Sequence, residues 1–174
     1  IDSPKMEPIV KECRGLILDE SLNVICRPFD RFFNLGEADT DKLDLSKFVF
    51  APKLDGSLIK VYHWYGCWRI ATRGTAFAES AVGDWGITFE KLALSALGFE
   101  TIAEFDDWCM NVVKMNVGIT YLFELTAPEN RVVTPYTDRR MTLLAKRRCE
   151  DGVYVEPTET ERMHLTINKV LGYN

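Results

Sequence analysis

A single lysine stands between a short apolar run and an Asp-Gly turn in FVFAPKLDGSLIKVY, residues 48–62. If residues 53–57 are extended, their side chains alternate in direction, so Lys53, Asp55 and Ser57 share one face. Gly56 lets the chain bend or pass close to a ligand. Partial burial and nearby cations favour the neutral, nucleophilic form of an amine. Lys53 is therefore a candidate nucleophile at the end of a buried strand.

A plainer interpretation is a lysine whose stem packs while its ammonium reaches solvent beside the turn. With each residue at roughly 6% frequency, K-x-D-G would arise by chance in about one chain of this size in twenty-five. The K-x-D-G motif alone therefore fits both a nucleophile and a surface lysine.

The elements that would position Lys53 are mostly strands. SLIKVYHW and CWRIATRG are rich in β-branched and aromatic residues and flank Tyr65-Gly66, a pattern that predicts a β-hairpin. Strand patterns also occur on both sides of this hairpin. They are GLILDE, VICRPFD, ITYLFEL, RVVTPY, MTLLAKRR and DGVYVEP.

Helical patterns occupy the middle of the chain. TFEKLALSALGF has good helix formers and a stop at Gly98. TIAEFDDWCMNVVKMNVG carries apolar residues at helical spacing, which predicts one amphipathic helix that ends at Gly118. Its apolar stripe is Phe105, Trp108, Cys109 and Val112. Strands, then helices, then strands predict an α+β fold with a mainly antiparallel sheet and a few helices, in one domain over residues 1–174.

Composition excludes several classes of protein. An apolar fraction of 47% and a charged fraction of 27% are typical of a globular chain, and no apolar run approaches a membrane span. Five scattered cysteines without a CxxC pair argue against a disulfide framework or a zinc site. We therefore expect a reducing, cytoplasmic location without membrane association. The net charge of −5 still permits a local basic patch at DRRMTLLAKRR, which suits a solvated flank or phosphate contacts equally well.

Five stretches in a fixed order resemble the ATP-dependent RNA ligases of the phage RNA ligase 1 family, within the covalent nucleotidyltransferases. They run from about Cys13 to about Arg148: ECRGLILD, RPFDRFFNLGE, APKLDGSLI, IATRGT and YLFELTAPENRVVTPY. The resemblance implies an adenylylation domain of the nucleotidyltransferase (ATP-grasp-like ligase) type. It also implies that Lys53 attacks the α-phosphate of ATP, that AMP passes to an RNA 5′-phosphate, and that a 3′-hydroxyl then seals the break.

The resemblance assigns further site residues. Arg14 matches an arginine near the phosphates, Arg31 stands where phage enzymes usually carry lysine, and Arg73 matches a basic residue after the hairpin. Glu124 matches an acid that binds the ribose or a metal-bound water, so it is the expected Mg²⁺ contact. The expected ATP-binding set is Arg14, Arg31, Lys53, Asp55, Gly56, Arg73, Glu124 and Leu143. Leu144 would pack on the base beside Leu143, and Asn130, Arg131 and Tyr136 follow in register.

Each assignment has a plainer alternative. Arg14 and Arg73 could be strand-end surface charges, and Arg131 could be a structural ion-pair partner. Glu124 lies inside an apolar run, so it needs a partner or ligand in either case. The remaining aromatic candidates could serve the core or close a strand instead: Phe32, Phe33 and Tyr136.

Two later motifs of the family lack a clear match. Asp151-Gly152 resembles the acidic motif IV only superficially, because its context fits the hairpin that precedes that motif. INKVLGY holds a single lysine, Lys169, where motif V carries a K-x-K pair. We therefore expect that the chain stops before motifs IV and V and is an incomplete module.

The resemblance implies ATP and Mg²⁺ as cofactors and RNA ends, including those of cleaved tRNA, as substrates of a monomeric repair enzyme in the host cytoplasm. Two alternatives stay open. One is another covalent nucleotidyltransferase, a DNA ligase or a capping enzyme, although Ser57 after KLDG disfavours DNA ligases. The other is a non-catalytic nucleotide- or RNA-binding fragment.

Overall fold

The computed structural model describes residues 7–34, 36–37 and 50–168. Its centre is a five-stranded sheet in the order β4-β3-β5-β6-β7. The strands are β3 (Ser57–Trp64), β4 (Cys67–Thr72), β5 (Ile119–Thr126), β6 (Arg140–Arg148) and β7 (Thr166–Ile167). All neighbouring pairs are antiparallel except β6 and β7. The predicted α+β class with a mainly antiparallel sheet is confirmed.

The hairpin of β3 and β4 forms where the sequence predicts it. Trp64 pairs with Cys67 across the turn, and Tyr65 and Gly66 both have positive φ, at 48° and 74°. Two consecutive residues of positive φ match the twist of antiparallel strands. The hairpin thereby carries the chain from Ser57 back to Thr72, so that both ends of the hairpin lie at the same end of the paired strands.

Helices cover one face of the sheet. Helix α2 (Phe89–Leu97) is capped by the Thr88 side chain and ends at Gly98, as predicted. Helix α3 (Ile102–Asp107) begins in a capping box between Thr101 and Glu104. A fourth helix, α4 (Glu159–His164), was not predicted from the sequence. Within the described ranges, no helix is long and apolar enough to cross a membrane.

The predicted long helix up to Gly118 is wrong beyond Asp107. A π-helix (Trp108–Val113) follows α3 and ends at Lys114, whose φ is 58°. A π-turn adds a residue per turn, so it rotates the positions that follow. Val113 is consequently buried, whereas Val112 of the predicted stripe is 40% exposed.

Two other predicted strands are absent from the described structure. Residues 131–136 form a loop, and residues 152–156 contribute only an isolated bridge between Arg147 and Tyr154. Within this loop, the backbone amides of Val133 and Thr134 donate to the Asp55 carboxylate and not to a neighbouring strand. Strand propensity alone therefore predicted more strands than the described structure contains.

The N-terminal segment covers the second face of the sheet. It comprises α1 (Pro8–Glu12), β1 (Ile17–Leu18), β2 (Val24–Cys26) and the chain through residue 34. Cys26 packs with Tyr62 and Ala71 of the hairpin, and the Arg27 amide donates to the Thr120 hydroxyl of β5 at 2.8 Å. This segment forms one wall of the cavity described below.

The basic cluster of β6 is occupied by protein partners. Lys146 is buried and contacts Glu161 of α4 at 2.6 Å. Arg147 is buried and binds both carboxylate oxygens of Asp30. The other three arginines pair with carboxylates in Arg139–Glu129, Arg140–Asp138 and Arg148–Asp151. Of the two interpretations left open, phosphate contact is therefore disfavoured.

Candidate active site

A cavity of about 830 Å³ opens between the N-terminal segment, the start of β3, the end of β4 and the middle of β5. Its polar and charged lining combines cations, one carboxylate and small polar groups. These are Arg14, Lys53, Ser57, Thr72, Arg73, Glu124 and Asn168. Apolar side chains form the remainder, among them Phe29, Phe32, Leu58, Phe89 and Leu144. This volume and lining suit a ligand with both anionic and apolar parts.

Lys53 lies in the loop that precedes β3 and lines this cavity. Its side chain is exposed, which differs from the partly buried position at a strand end that we predicted. Asn168 donates from its side-chain amide to the carbonyl of Pro52 at 3.0 Å, so the residue just before Lys53 is held against the end of the chain's last described strand. Lys53 is therefore accessible to a ligand while its backbone is anchored.

Two arginines distant in sequence share the cavity with Lys53. Arg14 follows α1, and Arg73 follows β4. Burial lowers the pKa of Arg14, and the charges of Arg73 and Arg31 lower it further. Among the described residues, neither arginine forms a salt bridge with a carboxylate. Arginines placed together in this way favour the binding of an anion, because guanidinium groups match phosphate oxygens in geometry and charge.

Glu124 is the one carboxylate among the described residues that line the cavity. It lies on β5 opposite Leu58 of β3, and its Oε1 accepts a hydrogen bond from the Gly56 amide at 2.9 Å. Burial raises the pKa of Glu124, while the Gly56 amide and the Lys53 charge oppose that rise. The partner expected for an acid inside YLFELT is therefore the loop that carries Lys53.

Asp55 does not line the cavity with Lys53. Its carboxylate accepts hydrogen bonds from the amides of Thr134 at 2.6 Å and Val133 at 2.7 Å, and these bonds lower its pKa. The Asp55 amide donates to the hydroxyl of Tyr136 at 3.1 Å. Asp55 and Tyr136 thus join the lysine loop to residues 131–136, which is a structural role.

Gly56 is required by close packing against β5. A Cβ atom at this position would lie 2.2 Å from the Leu125 carbonyl oxygen and 2.9 Å from its carbonyl carbon. Real Cβ atoms do not approach backbone atoms so closely, so any larger residue would push the lysine loop away from β5. The close approach that we predicted is present with a strand as the neighbour, and Gly56 also lines the cavity.

The predicted aromatic and basic residues of RPFDRFFN take different positions. Phe32 lines the cavity, and the Arg14 guanidinium lies over its ring at 5.6 Å from the centroid. Phe33 instead lies between Lys11 and Arg31, whose cations are 5.6 Å and 5.5 Å from the ring centroid. Arg31 does not line the cavity, although its charge contributes to the lowered pKa of Arg14.

Leu143 is buried in the main core and does not line the cavity, whereas Leu144 does. An irregularity in the pairing of β5 and β6 lies between Leu122 and Phe123, so that Leu122 pairs with Ala145 and Phe123 with Leu143. Leu144 is left between these pairs. Of the two leucines expected to pack on the base, Leu144 is therefore the one that lines the cavity.

Asn130 and Arg131 are separated by the structure. Asn130 is buried, donates to the Leu125 carbonyl at 3.0 Å and accepts from the Ser57 hydroxyl at 3.0 Å. It therefore fastens the end of β5 to the start of β3. Arg131 is exposed and contacts the carbonyl of Val133, away from the cavity lining.

Comparison with known proteins decides the family. The family model described as RNA ligase matches residues 12–170 of this chain. The chain belongs to the RNA ligase family of the phage RNA ligase 1 type. It is 28% identical to "RNA ligase 1" of Bacteriophage TS2126 over 95% of this chain, and 28% identical to "RNA ligase" of Rhodothermus phage RM378 over 84%.

A further relative is 44% identical over 84% of this chain, the "Putative bifunctional polynucleotide kinase/RNA ligase" of Autographa californica nuclear polyhedrosis virus. The chain spans 23% of the length of that relative and 40% of each of the two phage proteins. The match with the RNA ligase family therefore covers most of this chain but only part of each relative.

The late family motifs receive little support from the structure. Asp151 accepts a hydrogen bond from the Val153 amide and pairs with Arg148 in a tight turn, and it does not line the cavity. Its role as the acid of motif IV is therefore disfavoured. Lys169, the single lysine near the expected motif V, lies outside the described residues.

Several residues that line or support this cavity were missed by sequence reasoning. Phe29 and Asn168 line the cavity, and Lys60 and Arg147 hold its N-terminal wall. The signal that could have found Lys60 is a lysine between Ile59 and Val61, because a buried ammonium requires a partner.

Proposed function

We propose that this chain carries the adenylylation step of an ATP-dependent RNA ligase, with Lys53 as the nucleophile. The observation that carries the proposal is the shared cavity. Lys53, Arg14, Arg73 and Glu124 come from four separate segments and line one space large enough for a nucleotide. Membership of the RNA ligase family supplies the class of reaction.

The cationic and the apolar groups of the lining correspond to the two chemical parts of ATP, its phosphates and its base. Arg14 and Arg73 offer guanidinium groups to phosphate oxygens beside the Lys53 amine. Leu58 and Leu144 offer an apolar surface for a base. Phe32 adds an aromatic ring that is 67% exposed. We infer that the phosphates lie toward the arginines and the adenine lies toward the apolar wall.

In the proposed reaction, the neutral Lys53 amine forms an N–P bond with the α-phosphorus of ATP. The bond from this phosphorus to the β-phosphate bridging oxygen breaks, pyrophosphate leaves, and the amine proton passes to solvent. An RNA 5′-phosphate oxygen then forms a bond with the adenylyl phosphorus and the N–P bond breaks. Finally the 3′-hydroxyl attacks the activated 5′-phosphate, AMP leaves, and the hydroxyl proton is released.

Glu124 is the residue that would hold Mg²⁺ with the nucleotide. Among the described residues, no group of three or more metal-ligating side chains exists. The single carboxylate of Glu124 nevertheless fits Mg²⁺, which usually binds through one or two carboxylates together with substrate phosphates and water. When bound, Mg²⁺ would neutralise charge on the phosphates. Glu124 would also orient the lysine loop through its bond with Gly56.

The experiment that tests the proposal is intact-mass spectrometry of the purified chain after incubation with ATP and Mg²⁺. We expect a mass increase of one adenylate, mapped by peptide analysis to Lys53. GTP in place of ATP serves as the matched control for base selection. An adduct on another residue would overturn the assignment of Lys53, and the absence of any adduct would overturn adenylylation by this chain alone.

Sealing is tested separately, because the chain spans less than half the length of its relatives. A pre-adenylylated RNA strand supplies the activated 5′-phosphate, so joining to a 3′-hydroxyl end does not require the first step. We propose that RNA ends are joined in preference to DNA ends of the same sequence. Equal or better joining of DNA would contradict the proposed substrate.

A further inference from the structure

Lys60 is a buried lysine that the proposed reaction does not yet use. It lies in the middle of β3 with 1% of its surface exposed, between the fully buried Ile59 and Val61. Burial lowers the pKa of Lys60. An ammonium is costly to remove from water unless polar partners compensate, so its position calls for an explanation.

The partner of Lys60 is the turn that follows α1. Its Nζ donates a hydrogen bond to the carbonyl oxygen of Gly15 at 2.7 Å. Gly15 directly follows Arg14, which lines the cavity. A hydrogen bond from a charged donor is stronger than one between neutral groups, so the Gly15 carbonyl is held firmly to β3.

The same turn is confined on its other sides. Gly15 has a φ of +79°, which favours glycine. A Cβ atom at this position would lie 2.8 Å from the Arg73 carbonyl oxygen and 3.6 Å from both the Lys60 Nζ and a Pro28 side-chain carbon. The Arg14–Gly15 peptide is therefore packed between β3, the end of β4 and the N-terminal segment.

Lys60 differs from Lys146, the other buried lysine of the described sheet, in the kind of partner that its ammonium binds. Lys146 forms a salt bridge with Glu161 and contributes to packing of α4. Within the described ranges, Lys60 forms no salt bridge with a carboxylate, and its hydrogen bond goes to the backbone beside a cavity arginine. A leucine would fill the same interior without the cost of a charge, so stability alone does not account for Lys60.

We propose that Lys60 is a positioning residue of the adenylylation site and acts through Arg14, an inference that rests on the proposed function. Its ammonium holds the Gly15 carbonyl and so fixes the turn after α1. This turn positions the Arg14 guanidinium at the phosphate end of the cavity. Removal of the ammonium leaves a partly buried carbonyl without this donor, so the turn shifts and Arg14 loses its orientation.

The test is a double-mutant cycle between Lys60→Met and Arg14→Ala. The rate of lysyl-AMP formation is measured in a single turnover, and ATP affinity is measured by calorimetry in the Lys53→Ala background. Methionine keeps much of the apolar stem of lysine. We expect Lys60→Met to lower the rate roughly 10- to 100-fold, the effect of a misplacement of about 1 Å. The double variant should be no slower than Arg14→Ala alone, because the Lys60 effect passes through Arg14.

Two further variants separate positioning from loss of stability. Gly15→Ala disturbs the same turn from the opposite side and leaves Lys60 in place, so it should also lower the rate and show the same dependence on Arg14. Lys146→Met is the matched buried-lysine control. It should lower the melting temperature, but below that temperature its effect on the rate should be independent of Arg14.

The outcomes are distinguishable. If the fold-changes of Lys60→Met and Arg14→Ala multiply in the double variant, for both rate and ATP affinity, the two residues act independently and the inference is overturned. An unchanged rate in a folded Lys60→Met protein would overturn it as well. In both cases the proposed function stays intact. If the chain binds ATP but forms no adduct, the cycle on ATP affinity still decides the role of Lys60. If ATP does not bind, both the proposed function and this inference fail.

Discussion

Glu124 of β5 accepts the amide hydrogen of Gly56 at 2.9 Å, and this contact joins the buried sheet to the loop that carries Lys53. A carboxylate and a candidate nucleophile separated by 71 residues of chain (124 − 53) therefore line one cavity. The contact explains why a carboxylate can lie within an apolar strand. Replacement of Glu124 would also remove this contact, whereas replacement of Lys53 would remove only an exposed side chain. Activity and stability are therefore expected to respond differently to the two replacements.

Replacement of Lys53 by alanine should abolish the AMP adduct and leave stability unchanged. The side chain is exposed and lies in a loop, so its loss removes little packing. Intact mass and thermal melting measure the two effects. Lys53→Arg is the matched control, because it keeps a positive charge but supplies no amine of comparable nucleophilicity. An adduct in either variant would show that Lys53 is not the nucleophile.

Glu124→Gln should impair adenylylation. The free energy of unfolding of this variant should also rise relative to that of the wild type as pH increases. Because burial raises the pKa of Glu124, the folded chain retains its proton to a higher pH than the unfolded chain. Wild-type stability therefore falls as pH rises from the ordinary glutamate pKa through the raised one. The glutamine does not titrate and can still accept the Gly56 hydrogen bond.

Urea unfolding of both proteins across this pH range measures the difference. Glu124→Ala provides the comparison, because it also removes the acceptor for Gly56 and should be less stable than the glutamine variant. A glutamine variant that loses stability relative to the wild type as pH rises would contradict the raised pKa.

Arg73→Ala should weaken ATP binding by about 10- to 100-fold, which corresponds to the ~1.5–3 kcal/mol of a hydrogen bond to a charged group. Arg73 lines the cavity beside Arg14, where phosphate oxygens are proposed to bind. Calorimetric titration measures the affinity. Arg69→Ala is the control from β4, the strand that directly precedes Arg73, since Arg69 does not line the cavity. Equal losses in the two variants would indicate a nonspecific effect of charge.

Asp55→Ala should release the loop of residues 131–136. The Asp55 carboxylate accepts the amides of Val133 and Thr134, and these bonds lower its pKa. Wild-type protection of the two amides is then fully present above the ordinary aspartate pKa and lost as pH falls through the lowered one. Hydrogen exchange, corrected for the intrinsic rate at each pH, measures the protection.

In the alanine variant, these two amides should exchange rapidly at every pH. Asp138→Ala is the matched control, because Asp138 is paired at the surface with Arg140 and does not bind these two amides. Protection of Val133 and Thr134 that persists in the Asp55 variant would show that the loop is held by other contacts.

Gly56→Ala should destabilise the protein, because its Cβ would lie 2.2 Å from the Leu125 carbonyl oxygen. Relief of such a contact requires movement of backbone, and overpacking of this kind costs ~1–3 kcal/mol. Denaturant unfolding measures the loss. Gly118→Ala is the control, since its nearest contact would be an ordinary 3.5 Å. Equal stability of the two variants would contradict close packing at Gly56.

The local pattern of the sequence was sufficient for the hairpin and for α2. The hairpin follows from two β-rich runs around Tyr65-Gly66, and α2 follows from good helix formers that end at Gly98. Both depend on contacts between residues near in sequence, where propensity and turn geometry act directly. The α+β class follows from the order of such elements, and the ordered motifs were sufficient for the RNA ligase family.

Tertiary structure decided which candidate residues meet. Lys53, Arg14, Arg73 and Glu124 line one cavity, whereas Asp55 binds the loop beside it. The pairing irregularity opposite Leu122–Phe123 and the π-helix after Asp107 altered which side chains face the cavity and the core. Neither follows from periodicity or propensity, because these describe regular helices and evenly paired strands. The donor for Gly15, Lys60, was likewise set by packing of the N-terminal segment on β3. Sequence identified the chemical groups, and the fold determined their distances, because long-range contacts rather than local propensity set those positions.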